Sequence, residues 1–267
     1  MKPDVGVHAA NVSLVPQSRR IDPMIQGLLC GTERTLNAAR LRSTPAHLAS
    51  CSHFEHNDVM TGSQLELDHI FLFVRDELHA REMIAEAGLR VNYSRIHKGQ
   101  GTRNICACLD DMFLELLWLD GSVAVNECEA ITLSARGRGE GSPIGVSWRG
   151  ECNLDCVDYK APFLPEGVTI PVARASLDPD MPFVFRTPGG IRPIDRTDGL
   201  VGNRQSPDLT VLGHCEISVP NPAPVAALLA GFDRITVCEG SPGLNLILLD
   251  QHGQSGREFK WEATLAT

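Results

Sequence analysis

The chain has 267 residues and a formal net charge of −9, which argues against a nucleic-acid partner and against binding to an anionic membrane surface, since both require a basic face. Its 43% hydrophobic and 21% charged residues are ordinary for a soluble globular protein, and no apolar run approaches the roughly 20 residues that span a bilayer. Nine cysteines, an odd number without a convincing secretory leader, predict reduced thiols and a cytoplasmic location.

Residues 1–59 differ in composition from the rest of the chain. They contain four prolines, many small polar residues and a single aromatic residue, Phe54. We predict that this segment is a poorly ordered extension, or that it is not native because the start codon was chosen too far upstream. Met60 stands just before the first regular element, and the sequence leaves both interpretations open.

The pattern becomes regular in residues 65–120, the predicted module one of a domain over 60–267. Alternating apolar residues predict strands over 67–74, 89–96, 104–109 and 112–119, and apolar spacing ahead of Gly88 predicts a helix over 77–87. The predicted order is βαβββ.

A second βαβββ order is predicted over 209–267, as module two, with strands over 211–219, 233–238, 244–250 and 257–265 and a helix over 224–229. His69 and His214 each occupy the third position of an apolar strand, which suggests duplication. The connection between the modules, 121–208, is rich in Gly and Pro, has a strand-like stretch at 144–148 and contains Pro-Phe-Val-Phe at 182–185. We expect it to form lids over a cleft.

His69 and Glu115 are the polar side chains most suited to chemistry in module one. Alternate side chains of a strand share one face, so the two converge if the first and fourth strands are adjacent. Imidazole plus carboxylate suits Zn²⁺, Mn²⁺, Fe²⁺ or Ni²⁺. His214 would be the matching ligand of module two, and Glu262 reaches the position that matches Glu115 only after a small shift. A metal-free polar cavity and a purely structural role remain open.

The loop from His97 to Asn104 is the second candidate region. Gly99 and Gly101 allow a tight turn and a close backbone approach. Its neutral polar side chains offer hydrogen bonds to a substrate, and His97 could hold a carboxylate or a carbonyl. We therefore predict substrate contacts from His97, Gln100, Thr102 and Asn104, with a solvated β-turn as the alternative.

These residues resemble the glyoxalase-like domain family of the vicinal oxygen chelate superfamily. The resemblance lies in Leu-Asp-His-Ile at 67–70, His-x-Gly-Gln-Gly-Thr at 97–102, Asn104 and Phe-Leu-Glu-Leu at 113–116. It implies an α+β fold in which two βαβββ modules form curled mixed sheets around a central cavity. It also implies a divalent metal on His69, Glu115 and His214, with the fourth ligand position falling on Trp261 or, after a slip, on Glu262.

Two functions follow from this resemblance. The first is a metal-dependent lyase, isomerase or dioxygenase acting on a small oxygenated metabolite, with Glu262 moving a proton. The second is a metal-free protein that binds or sequesters such a metabolite in the same cavity. In both cases the expected partner is a small molecule, and a homodimer is left open.

Overall fold

The computed structural model describes residues 65–122, 131, 133–206, 209–254 and 256–265, and it has the α+β fold with two curled sheets that the resemblance implies. The prediction for residues 1–59 lies outside the described residues. None of the described helices is long and apolar enough to cross a membrane.

The first half of the larger sheet has the predicted βαβββ order. Its elements are β1 (Glu66–Phe73), α1 (Glu77–Glu86), β2 (Tyr93–His97), β3 (Thr102–Cys108) and β4 (Phe113–Leu119). Asp76 caps α1 by accepting a 2.8 Å hydrogen bond from the backbone N–H of His79, and Gly88 follows the helix with a φ of 73°, a value that favours glycine.

The second half of the same sheet is formed by residues 144–186. Its strands are β5 (Ile144–Arg149), β6 (Cys156–Tyr159), β7 (Ile170–Ala173) and β8 (Phe183–Arg186). The eight strands lie in the order β2-β3-β4-β1-β5-β8-β7-β6. β1 pairs with β4 in parallel, β5 pairs with β8 in parallel, and β1 and β5 join the halves in antiparallel fashion. The two halves therefore repeat one pairing pattern.

The sequence analysis predicted the second module at residues 209–267 and treated residues 121–208 as a connection between the modules. The described part of that connection instead supplies four strands of the main sheet, together with the short helix α2 (Leu133–Gly137) and 3-10 turns at Arg174–Leu177 and Pro193–Asp195. The sequence pattern of strands β5 to β8 was weak for physical reasons. No helix is described between β5 and β6, three of the strands have only four residues, and β7 contains Pro171.

Residues 209–265 form a separate four-stranded sheet. Its elements are β9 (Val211–Val219), α3 (Pro222–Leu229), β10 (Ile235–Glu239), β11 (Gly243–Leu249) and β12 (Gly256–Glu262). The element order agrees with the prediction, but the strand order is β10-β9-β11-β12. Here β9 pairs in parallel with the strand that follows the helix, whereas β1 pairs in parallel with the last strand of its unit. This sheet is therefore not a second copy of the first half.

Two hydrophobic cores lie on the two faces of the larger sheet. One core contains Ile70 and Leu72 of β1 and continues into Cys215 and Ile217 of the smaller sheet. The other contains the alternate residues of β1 and aromatic residues of β8, namely Phe71, Phe73, Phe183 and Phe185. His69 and Glu115 lie on this second, inward face, because they alternate with the residues of the first core.

Candidate functional site

The site is centred on His69 of β1 and Glu115 of β4, which adjacent parallel strands bring together. In the register of these strands His69 lies beside Phe113 and Phe71 lies beside Glu115. The His69 Nε2 atom is 3.4 Å from Glu115 Oε2, and both side chains are nearly buried, at 13% and 11% exposure. This distance is longer than an ordinary N–H···O hydrogen bond of about 2.9 Å.

Asp68 contacts the other nitrogen of the same imidazole. A residue next to His69 in a regular strand would point to the opposite face, but the β1–β5 register shifts between Leu67 and His69, and Asp68 has no partner in it. Such a bulge redirects a side chain. As a result Asp68 Oδ1 lies 2.7 Å from His69 Nδ1, and the aspartate is 1% exposed.

The charges around His69 favour its protonated form. Burial opposes protonation, but the hydrogen bond with Asp68 and the negative charges of Glu115 and Asp68 outweigh it, so the pKa of His69 is raised above its ordinary value. Burial would raise the pKa of Asp68, but hydrogen bonds from His69 and Thr187 and the charges of His69 and Arg149 hold that pKa below its ordinary value. An imidazolium between two carboxylates is therefore the favoured arrangement.

Asn104 of β3 completes the polar group. Its Nδ2 donates a 2.5 Å hydrogen bond to Glu115 Oε1, and the side chain is buried at 4% exposure. Its Oδ1 is buried and has no hydrogen-bond partner among the described residues. A buried amide oxygen without a donor is costly, so this atom is suited to accept a hydrogen bond from a ligand.

His97, Gln100 and Thr102 hydrogen-bond to one another. Gln100 Nε2 donates to Thr102 Oγ1 over 2.8 Å, and the Thr102 hydroxyl lies 2.9 Å from His97 Nδ1. Burial lowers the pKa of His97 to about 4, so its ring is neutral near pH 7 and Nδ1 is able to accept the proton of Thr102.

This loop joins the two edges of the larger sheet. Tyr159 of the edge strand β6 donates a 3.2 Å hydrogen bond to Gln100 Oε1, and the rings of His97 and Phe163 lie 4.8 Å apart. β2 and β6 are the opposite edges of the sheet, so these contacts close the curl. Four residues were predicted to contact a substrate. The structure brings Asn104 next to the His69–Glu115 pair. The other three, His97, Gln100 and Thr102, lie instead where the loop contacts the β6 edge of the sheet.

Aromatic side chains bound the polar group and occupy much of the inward face. Phe185 lies edge-on to His69 with 5.1 Å between ring centroids, and Phe113 contacts both His69 and Tyr93 in the same way. Phe71 lies over Gly145, where a Cβ atom would come within 2.1 Å of the Phe71 ring. The polar group of His69, Glu115 and Asn104 therefore lies against closely packed aromatic side chains.

The donor set does not fit a complete resident metal site. A protein Zn²⁺ site normally uses at least three protein ligands, and the described residues contain no group of three His, Cys, Asp or Glu side chains placed to hold a metal. His69 and Glu115 are two such groups. In the second half of the sheet, the residue opposite His69 on β5 is Ser147, and the residue opposite Ser147 on β8 is Phe185.

His214 and Glu262 lie in the smaller sheet and are not brought to His69 and Glu115. His214 on β9 hydrogen-bonds through Nε2 to Thr236 on β10 over 2.8 Å. Glu262 at the end of edge strand β12 is 65% exposed and forms a 3.0 Å ion pair with Lys260. The proposed ligand and proton-transfer roles of these residues depended on a second module at 209–267, and the strand pairing of this sheet removes that basis.

The sequence analysis missed the groups that hold His69. Asp68 was not singled out, because in a regular strand it would face away from His69, although a carboxylate within an apolar strand was an available signal. Thr187, which donates to Asp68 over 2.9 Å, lies 119 positions further along the chain, and nothing in the sequence pointed to it.

Comparison with known proteins agrees with this architecture over part of the chain. Residues 67–148 match the family described as "Glyoxalase-like domain", which confirms the resemblance drawn from the motifs. The match runs from β1 to β5. No curated protein matches the sequence at a significant level.

Several solved structures are similar in part. A hypothetical protein from Staphylococcus aureus shares 13% identity over 74% of this chain and 86% of its own, with a TM-score of 0.41. A Streptomyces coelicolor methylmalonyl-CoA epimerase in complex with 2-nitronate-propionyl-CoA shares 14% identity over 46% and 96%, with a TM-score of 0.33. A methylmalonyl-CoA epimerase from Mycobacterium tuberculosis shares 12% over 49% and 91%, with a TM-score of 0.32. Similarities this low carry no argument about ligand or activity.

Proposed function

We propose that this protein binds a small oxygenated metabolite at His69, Glu115 and Asn104 without a resident metal. The observation that carries the proposal is the buried His69 imidazole, held at Nδ1 by Asp68 and directed at Nε2 toward Glu115. The match to the glyoxalase-like family supports the choice of this sheet face as the binding region.

The hydrogen-bonding groups define the complementary ligand. Protonated His69 offers an N–H at Nε2, while Asn104 Oδ1 and Glu115 offer acceptors beside it. A molecule with a carbonyl or alkoxide-like oxygen next to a hydroxyl group satisfies both sides, because one oxygen accepts from His69 and the hydroxyl donates to Asn104 or Glu115.

The same pair could also move a proton. His69 is an acid and Glu115 a nearby base, a combination that supports general acid–base steps such as isomerisation or elimination next to a carbonyl group. The 2-His-1-carboxylate triad of non-haem iron dioxygenases needs one more histidine ligand than His69 and Glu115 supply.

The experiment is an NMR titration of the full chain with hydroxyacetone and with glycolate, using variants of the site. We expect at least one probe to bind the natural sequence, and His69→Ala and Glu115→Gln to lower its affinity at least tenfold, since hydrogen bonds to charged groups contribute about 1.5–3 kcal/mol. His214→Ala and Glu262→Gln are the matched controls and should retain the affinity.

Equal loss of affinity in the controls, or binding that survives both site substitutions, would contradict the assignment of the ligand to this face. Failure of both probes to bind at millimolar concentration would contradict the proposed class of ligand.

A further inference from the structure

We propose that Asp68, held in place by Thr187, is the positioning residue that orients His69 toward the ligand. The second half of the larger sheet would then contribute to the site by fixing the Asp68 carboxylate, although it supplies no His or Glu side chain beside His69 and Glu115. The inference rests on the proposed function for its meaning, but its main test does not depend on any ligand.

The hydrogen bonds form a chain whose direction is fixed by the donors. Thr187 Oγ1 donates to Asp68 Oδ1 over 2.9 Å, so the proton between the Ser147 and Thr187 hydroxyls, 2.5 Å apart, comes from Ser147. His69 Nδ1 meets the same Asp68 oxygen over 2.7 Å. Two donors therefore converge on Asp68 Oδ1, and Arg149 lies beside Oδ2, an arrangement that favours the ionised carboxylate.

Buried surroundings keep this carboxylate in place. Arg149 of β5 is 6% exposed, and its Nε lies 3.5 Å from Asp68 Oδ2. The guanidinium is itself fixed, because it donates to the backbone oxygens of Leu67 and Asp111. The position of Asp68 is thus set by β5 and by Thr187, which follows β8, while His69 belongs to β1.

This arrangement determines what His69 presents to the site. With Nδ1–H engaged by Asp68, Nε2 is the nitrogen that faces Glu115 at 3.4 Å and is left for a ligand oxygen. Without Asp68 the ring could rotate, or it could carry its proton on the other nitrogen. Ser147 and Thr187 therefore act on ligand binding through the Asp68–His69 pair: Thr187 Oγ1 donates to Asp68 and also lies 3.4 Å from His69 Nδ1.

The test is ¹⁵N NMR of histidine-labelled full chain at one pH, which reports the protonation and hydrogen bonding of each ring nitrogen. We expect the natural sequence to show a low-field proton on His69 Nδ1. Asp68→Asn should weaken it, because a neutral amide oxygen is a poorer hydrogen-bond acceptor than the charged carboxylate. Thr187→Val should weaken it, and Thr187→Ser, which keeps the hydroxyl, should restore it.

The matched control is Thr169→Val, because Thr169 donates to Asp158 over 3.1 Å at an exposed position of the same protein. This variant should leave the His69 signals unchanged. Whichever probe binds the natural sequence should bind Thr187→Val with about tenfold lower affinity, a size typical of one lost hydrogen bond to a charged group.

A folded Thr187→Val protein with unchanged His69 nitrogen signals would overturn the proposal, and so would an equal change in Thr169→Val. If Asp68→Asn does not fold, Thr187→Val carries the test alone, because it leaves the charge of Asp68 in place. A changed His69 signal with no probe bound would support the positioning role and count against the proposed function.

Discussion

At the scale of single residues, the environment of each histidine decides what it can do. His69 sits between two carboxylates and favours the protonated form, whereas His97 is buried beside Thr102 and favours the neutral form. The third candidate, His214, hydrogen-bonds to Thr236 in the other sheet. The sequence identified all three as candidates, His69 and His214 as metal ligands and His97 as a substrate contact, but it did not give their protonation, because burial and partner charge arise only from the folded chain.

His97 should make the stability of the protein depend on pH between about 6.5 and 4. Its pKa is lowered to about 4 in the folded protein, so in this window the unfolded chain binds a proton that the folded protein does not. Stability should therefore fall as the pH falls, by up to about 3 kcal/mol. We expect His97→Gln, measured by urea unfolding at several pH values, to lose less stability over the same window.

Comparing the natural protein with His97→Gln isolates the contribution of His97 to the pH dependence of stability. The raised pKa of His69 acts in the opposite direction, since its stabilisation is present at low pH and is lost as the pH rises through its folded value, and it is common to both proteins. The nearby charged groups Glu115, Arg95 and Asp120 are also unchanged. Identical pH dependence in the two proteins would contradict the neutral, hydrogen-bonded state of His97.

At the scale of elements, the sequence predicted the first half of the larger sheet well and the second half poorly. Strands β1, β3 and β4 are long and flanked by a capped helix or by glycines, so local signals sufficed. The convergence of His69 and Glu115 followed from alternation and one assumption about strand adjacency. Strands β6 and β7 have four residues each and obtain their stability from neighbours that are distant in sequence, and no local pattern reports that.

Close packing where the two halves meet predicts that Gly145→Ala is strongly destabilising. A Cβ atom at this position would lie 2.1 Å from the Phe71 ring, within the core of the inward face. We expect a loss of about 1–3 kcal/mol in the free energy of unfolding, as for other overpacked cores. Gly240→Ala is a suitable control, because its nearest side-chain atom would be at 3.4 Å and its φ is not positive.

The measurement is chemical denaturation of both variants and the natural sequence. Gly240→Ala should change stability by no more than about 0.5 kcal/mol, as is usual at surface positions. Equal stability of the two variants would show that Phe71 can move away from Gly145, and therefore that the wall beside the site is not tightly packed.

At the scale of the whole molecule, one hydrophobic core links the two sheets. It extends from the outer face of the larger sheet into the smaller one, and ion pairs such as Arg234 with Asp111 add polar contacts between the smaller sheet and the β3–β4 turn. The larger sheet carries the candidate site, and the smaller sheet packs against its other face. The sequence placed both in one domain, 60–267, and assigned the candidate residues His214 and Glu262 to the part that forms the smaller sheet.

The composition of residues 1–59 predicts that the domain folds without them. A chain that starts at Met60 should remain soluble and monodisperse and should keep the melting temperature of the full chain within about 2 °C, a shift smaller than that expected from losing 1 kcal/mol. Calorimetry of the two proteins measures this. Aggregation, or a drop of several degrees, would show that the removed segment stabilises the folded domain.

The central claim is that His69, Glu115 and Asn104 form a binding site that works without a resident metal. The most direct measurement is calorimetric titration of the full chain with Mn²⁺ and Ni²⁺, alongside His69→Ala and Glu115→Gln. Because the described residues offer two ligands at this face, we predict no stoichiometric site tighter than about 10⁻⁴ M that these substitutions remove. A one-to-one site of micromolar affinity that disappears in both variants would contradict the claim.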